Sequence, residues 1–205
     1  MDTTEAIRRY KIIPECYFVG EDKILPTIGA LCSGGLPLIC VVMNGSVTKR
    51  ILTLAVNTFP DTCIGARVCD RTQAALAVSC GVDFVCSSFF SDGIFDICRA
   101  AGVRYVPGCF TPTEIYRAAS LGIDLVMISP VCLLSDPSLL TYYISAFPSV
   151  KFIADCSSDP ARLPGFCSVS KLLGVIDGSI VSGGLDEIAE KCRLAVRRYS
   201  DTPGF

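Results

Sequence analysis

The sequence predicts an α/β fold, a single (β/α)8 TIM barrel, from three observations. Eight short apolar runs recur at a regular spacing, helix signals lie between most of them, and no Gly-x-Gly-x-x-Gly motif follows the first run. Parallel strands that alternate with helices form either an open doubly wound sheet or a closed barrel, and eight repeats favour the barrel. The runs are IIPECYFV (12–19), LPLICVVM (36–43), TCIGARV (62–68), DFVCS (83–87), RYVP (104–107), DLVMIS (124–129), VKFIAD (150–155) and GVIDGSI (174–180).

Helix boundaries between these runs carry typical capping residues. Residues 70–73 (DRTQ) and 111–114 (TPTE) match capping boxes, the second with proline at the first helical position. Asp136, which precedes a proline, predicts another helix start of this kind. Three glycines stand where a left-handed residue would close a helix before the next strand, namely Gly81, Gly102 and Gly122.

The last helix is the most clearly amphipathic segment. In GGLDEIAEKCRLAVRRYS (183–200), acidic residues crowd the start and arginines the end, which matches the helix dipole. We predict one barrel over residues 1–200 and a frayed tail over residues 201–205. The predicted apolar face of this helix comprises Leu185, Ile188, Ala189, Cys192, Ala195, Val196 and Tyr199.

Composition argues against several classes of protein. Hydrophobic residues make up 51% of the chain and charged residues 19%, which suits strands that are covered on both faces. No apolar run approaches the roughly 18 residues of a membrane span, and the N-terminus lacks the apolar core of a secretory signal. The net charge is −2 and no basic block is present, so we expect neither a membrane nor a nucleic acid as partner.

The chain has 13 cysteines and no histidine. No two cysteines have C-x-x-C spacing, so zinc and thioredoxin-type sites have little support, and we expect neither a metal nor a cofactor. Most of the cysteines lie inside apolar segments, which favours a reduced, cytoplasmic protein over a disulfide-containing one. Without histidine, any acid–base step would need carboxylate, lysine, tyrosine or cysteine side chains.

Residues 103–130, VRYVPGCFTPTEIYRAASLGIDLVMISP, resemble the 2-keto-3-deoxy-6-phosphogluconate (KDPG) aldolase family of small class I aldolase barrels. The shared motif is PGxxTPxE, with Gly122 and Pro130 also in register. Further landmarks at Gly34-Gly35, Gly65-Ala66 and Gly178-Ser179 extend the resemblance over nearly the whole chain. It implies a trimeric lyase that cleaves 2-keto-3-deoxy (phospho)sugar acids to pyruvate and an aldehyde.

The residues that carry this family's chemistry differ in the present sequence. Met127 stands where the family has its Schiff-base lysine, and a thioether cannot condense with a ketone. Cys40 aligns with the family's catalytic glutamate, and Asn44 with the arginine that holds the substrate carboxylate. No other lysine is well placed to substitute, the six in the chain being Lys11, Lys23, Lys49, Lys151, Lys171 and Lys191.

The resemblance also suggests a set of substrate-binding positions. The phosphate loop after the seventh strand reads ADCSS (154–158), which lacks the family's glycines and contains an acid. Gly178 and Ser179 keep part of a second phosphate loop, which could offer backbone N–H groups to an anion. The candidate binding residues are Asn44, Arg67, Pro107, Thr111, Asp155, Ser157, Gly178 and Ser179.

Several of these residues admit two interpretations. Arg67 could bind the substrate carboxylate in place of the arginine that Asn44 replaces, or it could be a surface residue paired with Asp70. Asp155 and Asp177 end adjacent strands, and they could cap their loops or act together on a proton or a metal. Cys40 could be a nucleophile or a buried structural thiol, and Met127 is most simply core filling.

Three functions follow from these interpretations. The first is a lyase of this family, acting on 2-keto acids, whose Schiff-base step has been lost. The second is a non-catalytic barrel that binds a small ligand, such as a 2-keto acid or another anion, or a protein partner. The third is a metal-assisted enzyme that uses Asp155 and Asp177.

Overall fold

A computed structural model describes residues 2–131, 137–156, 165–166 and 169–200. Eight parallel strands close into a barrel in which each strand pairs with its neighbours in chain order and the last pairs with the first. The predicted (β/α)8 barrel is confirmed, and the open sheet is excluded. The strands are β1 (Ile12–Cys16), β2 (Leu38–Val42), β3 (Cys63–Arg67), β4 (Phe84–Ser87), β5 (Arg104–Cys109), β6 (Leu125–Ile128), β7 (Lys151–Asp155) and β8 (Gly174–Asp177).

Helices surround this barrel, as the alternation of sequence signals predicts. One helix precedes β1, and short 3-10 turns follow β1 (Glu21–Lys23) and β8 (Ser179–Val181). None of the described helices has the length and apolar character that crossing a membrane would require. The helices are α1 (Thr3–Tyr10), α2 (Ile24–Ser33), α3 (Lys49–Thr58), α4 (Arg71–Ser79), α5 (Asp92–Ala101), α6 (Pro112–Ser120), α7 (Ser138–Ala146) and α8 (Leu185–Ser200).

Capping residues set most helix boundaries where the sequence placed them. Thr111 and Glu114 form a complete capping box at α6. Asp70 caps α4 by accepting the Gln73 N–H at 2.8 Å. The Gln73 amide oxygen accepts from the backbone N–H of Cys69, whereas a capping box would have it accept from the N–H of Asp70, one residue later. Asp136 lies outside the described residues. The three predicted glycines have the left-handed φ values of +84°, +69° and +83° in chain order.

Strand register determines which side chains enter the barrel. Glu15, Cys40, Gly65 and Phe84 are successive partners across β1 to β4, so all four face the interior. A Cβ atom on Gly65 would lie 2.1 Å from the Phe84 ring, which is 2% exposed. The glycine therefore leaves the space that the aromatic ring fills in the core of the barrel.

Helix α8 packs on the barrel largely by its predicted face. Ile188, Cys192 and Tyr199 are buried, but Leu185 is 47% exposed, so its assignment to the buried face was wrong. Leu185 is the first residue of the helix and lies over a surface cleft beside Val19. The tail at 201–205 lies outside the described residues.

Candidate functional site

Met127 lies at the barrel mouth, where parallel barrels carry their chemistry. Its strand, β6, pairs with Gly108 of β5 and Ile153 of β7 at this residue. The side chain is fully buried, and its Sδ atom lies 3.5 Å from Nη2 of Arg67. The thioether of Met127, packed against the guanidinium of Arg67, therefore fills the barrel mouth at the end of β6.

Arg67, at the end of β3, contacts carboxylates from two other strands. Its Nη1 atom lies 2.9 Å from Oδ2 of Asp155, and its Nε atom forms an ion pair with Oε1 of Glu15. We call Glu15, Arg67 and Asp155 the arginine cluster. The side chains of the cluster are only 8–12% exposed, so their charges interact with little screening by water.

Two hydroxyl groups also contact this cluster. Nη1 of Arg67 donates to Oγ of Ser88 at 3.0 Å, and Oγ of Ser129 donates to Oδ2 of Asp155 at 2.9 Å. Burial opposes the positive charge, but the Cys86 sulfur and the carboxylates of Asp155 and Glu15 raise the pKa of Arg67. The guanidinium therefore stays protonated, and Glu15 from β1, Asp155 from β7 and Ser88 after β4 hold it in place.

This geometry corrects one interpretation of Arg67 and adds a residue. Pairing with Asp70 is wrong, because Arg67 turns into the barrel while Asp70 caps α4. The guanidinium faces two protein carboxylates, and its binding of a substrate carboxylate stays a prediction. The sequence prediction did not include Glu15 among the site residues. Glu15 could have been noticed because it is the single charged side chain in the apolar run 12–19.

Cys40 lies deeper in the barrel and is fully buried. Its sulfur is 3.4 Å from the sulfur of Cys86. The hydrogen bond with Cys86 and burial raise the pKa of the Cys40 thiol well above its ordinary value, and the nearby Glu15 adds to this. A protonated, enclosed thiol is a poor nucleophile, so the geometry supports a structural role for Cys40.

We expect alkylation to distinguish Cys40 from the exposed Cys69. In native protein, iodoacetamide should modify Cys69 quickly, whereas Cys40 and Cys86 should react only after unfolding. Peptide mass spectrometry at a series of labelling times would measure this order. Rapid native labelling of Cys40 would contradict its assignment as a protonated, buried thiol.

All six lysines lie within the described residues, and none is placed beside Met127. Lys11 precedes β1 and Lys151 begins β7, at the end of the barrel opposite the mouth. Lys23 is on the mouth side, but its side chain is 73% exposed and pairs with Asp22. The remaining three are Lys49 at the start of α3, Lys171 in the exposed turn before β8 and Lys191 on α8.

Two of the predicted binding residues hold loops of the protein itself. Nδ2 of Asn44 donates to the carbonyl of Phe18 at 2.9 Å, and its Oδ1 accepts from the backbone of Ser46. Thr111 is exposed, and its side chain and backbone are engaged by the α6 capping box. Pro107 is buried in β5, where it lies beside Ser87.

The predicted phosphate positions fall partly outside the described residues, which do not include Ser157. At the second loop, the N–H of Ser179 donates to Oδ1 of Asp177 at 2.7 Å. This backbone donor is therefore already engaged. Gly178 precedes it in the turn after β8, and anion binding by this turn stays a prediction.

Asp155 and Asp177 do not face each other, although they end adjacent strands. Asp155 is aligned with Ile176 and points into the barrel, whereas Asp177 is aligned with Pro14 of β1 and points to the outside. Neighbouring positions on a strand face opposite sides of the sheet. The predicted joint action of these two acids is therefore wrong, and within the described part of the chain no group of three or more potential ligands is arranged to hold a metal.

Comparison with known proteins connects this geometry to a family. The KDPG and KHG aldolase family matches residues 3–190. A 2-dehydro-3-deoxy-phosphogluconate aldolase from Treponema pallidum is 28% identical over 150 residues, covering 73% of this chain and 71% of that protein. The Pseudomonas aeruginosa aldolase of the same name is 25% identical over 201 residues, covering 95% and 91%.

Solved structures agree with this barrel at low sequence identity. KDPG aldolase from Legionella pneumophila, with pyruvate captured as a covalent carbinolamine intermediate, superposes with a TM-score of 0.86 at 21% identity and covers 95% of this chain and 98% of that one. A cube-shaped protein cage, designed by fusing symmetric oligomeric domains, gives a TM-score of 0.81 at 18% identity, covering 93% and 73%. Because the family match spans most of the sequence, the chain belongs to the KDPG and KHG aldolase family.

Proposed function

We propose that this family member has lost the Schiff-base reaction and serves as a non-catalytic barrel. The observation that carries the proposal is the environment of Met127. A thioether occupies the end of β6, and the neighbouring arginine is held by Glu15 and Asp155. Without an amine at this point, a 2-keto acid has no group with which to form an imine.

The charge of the arginine cluster also weighs against an anionic substrate at the mouth. Glu15 and Asp155 place two carboxylates around this guanidinium in a poorly hydrated environment. A 2-keto acid or a phosphate would meet repulsion where the family binds its substrate. Binding of a 2-keto acid or other anion stays a prediction, which a thermal-shift screen with keto acids and phosphates would test.

Borohydride trapping tests the proposal directly. We expect no covalent adduct when the protein is incubated with pyruvate and reduced, because an imine is required for trapping. Intact-mass spectrometry would measure the adduct, with the Legionella pneumophila aldolase, whose structure contains the covalent pyruvate intermediate, as the positive control. A pyruvate adduct on any lysine of this chain would refute the proposed loss.

Restoring the amine alone should not restore activity. We expect Met127→Lys to lack measurable aldolase turnover, because Cys40 and Asn44 still lack the acid–base and carboxylate-binding groups of the family. The new ammonium would also lie close to Arg67. A coupled assay for pyruvate release would measure turnover, with Met127→Leu as the matched variant. Substantial activity in Met127→Lys would mean that Cys40 and Asn44 matter less than we argue.

We further propose that residues 1–200 act as one domain in a cytoplasmic homotrimer. Most of the described cysteines are free thiols, which suits a reducing compartment. The similarity to a cage built from symmetric oligomeric domains supports self-association of this type of barrel. Sedimentation equilibrium would determine the oligomeric state, and a monomer at micromolar concentration would refute the trimer.

A further inference from the structure

A separate cleft lies outside the barrel wall, between α8 and the 3-10 turn that follows β8. Its volume is about 370 Å3, which is within the range of small-molecule sites. Ile180 and Leu194 contribute apolar surface, while Asp177, Lys191 and Arg198 contribute charge. The cleft is lined neither by Met127 nor by the arginine cluster, so it does not depend on the proposed loss of catalysis.

Asp177 is the buried charge of this cleft, with an exposure of only 3%. Its Oδ1 atom accepts the N–H of Ser179. Within the described residues, no other hydrogen bond or ion pair reaches this carboxylate. Its other oxygen, Oδ2, is not among the enclosed atoms that lack a partner, so it opens on the cleft, where a cation or further donors can reach it.

The two basic residues of the cleft do not supply that cation. The ammonium of Lys191 lies 2.8 Å from the carboxylate of Glu187 and 2.8 Å from the carbonyl of Ser182, which hold it over the turn. The guanidinium of Arg198 lies over the Tyr199 ring, 5.9 Å from its centre. The cleft therefore presents a buried negative charge together with basic side chains that are held by other contacts.

We propose that this cleft binds a small zwitterion of the amino-acid type. The ammonium group would complete the hydrogen bonding of Asp177, and the carboxylate would lie towards Lys191 and Arg198. An aliphatic side chain would pack against Leu194 and Ile180. A ligand with both charges satisfies the cleft better than a simple amine, which the basic residues repel, or a simple acid, which Asp177 repels.

Isothermal titration calorimetry with leucine tests this assignment. We expect saturable binding to the wild-type protein, and weaker binding of isoamylamine and isocaproate, which lack the carboxylate and the ammonium. Asp177→Asn should weaken leucine binding by about tenfold or more, because a hydrogen bond between two charged groups is removed. The asparagine oxygen can still accept the Ser179 N–H, so the turn should persist, which circular dichroism would check.

Matched variants separate binding from folding. Asp61→Asn, at an exposed aspartate, should leave leucine binding unchanged. Leu194→Asp adds a repelling carboxylate at an exposed position on the cleft and should weaken binding, whereas Leu54→Asp, at an exposed leucine on α3, should not. Absence of leucine binding to the wild-type protein, or equal binding to Asp177→Asn, would overturn the proposal. Equal affinity for isoamylamine or isocaproate would overturn the zwitterionic ligand class.

Discussion

Replacing Arg67 by leucine is expected to lower the free energy of unfolding by about 3–5 kcal/mol. The variant removes the guanidinium that lies between Glu15 and Asp155 but leaves both carboxylates in their buried positions. Their mutual repulsion and the loss of the guanidinium that they share both disfavour the folded state. Urea denaturation followed by circular dichroism would measure the change from the midpoint and slope of the transition.

The control for this variant is Arg50→Leu. Arg50 also pairs with a glutamate, Glu21, but its side chain is 73% exposed. Exposed ion pairs contribute little because water screens them, so we expect a much smaller change in the unfolding midpoint. Equal midpoints for Arg67→Leu and Arg50→Leu would contradict the view that the arginine cluster is desolvated.

A triple variant isolates the electrostatic origin of the effect. Glu15→Met, Arg67→Met and Asp155→Leu together replace the arginine cluster by apolar side chains of similar size. Buried ion pairs are often no more stabilising than such a replacement, so the triple variant should recover most of the stability that Arg67→Leu removes. Failure to recover would indicate that shape rather than charge dominates at this point of the barrel.

The sequence was sufficient to predict most of the fold because each repeat carries local signals. Apolar runs determine the strands, and residues such as Thr111 with Glu114, or Gly102, mark helix ends through contacts within a few positions. These interactions do not depend on the rest of the chain. For the same reason, the sequence alone places Met127 at the end of its strand.

The arginine cluster could not be predicted in the same way. Whether Arg67 meets Glu15 or Asp155 depends on strand register around the closed barrel, which sets both the height and the facing of each side chain. Asp155 and Asp177 illustrate the difficulty, because both end strands yet face opposite sides of the sheet. Local sequence patterns do not specify how far each strand is shifted along its neighbour. A surface partner for Arg67 was therefore an equally reasonable expectation.

The loop after β4 illustrates a long-range constraint that is visible only in three dimensions. At Gly108 on β5, an added Cβ atom would lie 2.2 Å from the carbonyl carbon of Ser88 and 2.7 Å from the backbone nitrogen of Phe89. Both contacts are with backbone atoms, so no rotamer change can relieve them. The Tyr105 hydroxyl also holds this loop, since it contacts Ser87 Oγ at 2.7 Å and accepts from the Ser91 N–H.

We therefore expect Gly108→Ala to destabilise the protein by about 3 kcal/mol or more, at the upper end of the cost of overpacking. To make room, the loop would have to move away from Tyr105, whose pKa is raised to about 12 by burial and which therefore remains a neutral hydroxyl. Such a movement would also draw the Ser88 hydroxyl away from Arg67. The substitution at Gly108 would therefore also weaken the contact between this loop and the arginine cluster.

Gly45→Ala is the matched control, because no atom lies within 4 Å of the position its Cβ would occupy. Its unfolding midpoint in urea should stay close to that of the wild-type protein, while that of Gly108→Ala should fall. If loop displacement is the cause, combining Gly108→Ala with Arg67→Leu should destabilise by less than the sum of the two single effects, because each disrupts the same contact. Full additivity would show that the loop and the arginine cluster are energetically independent.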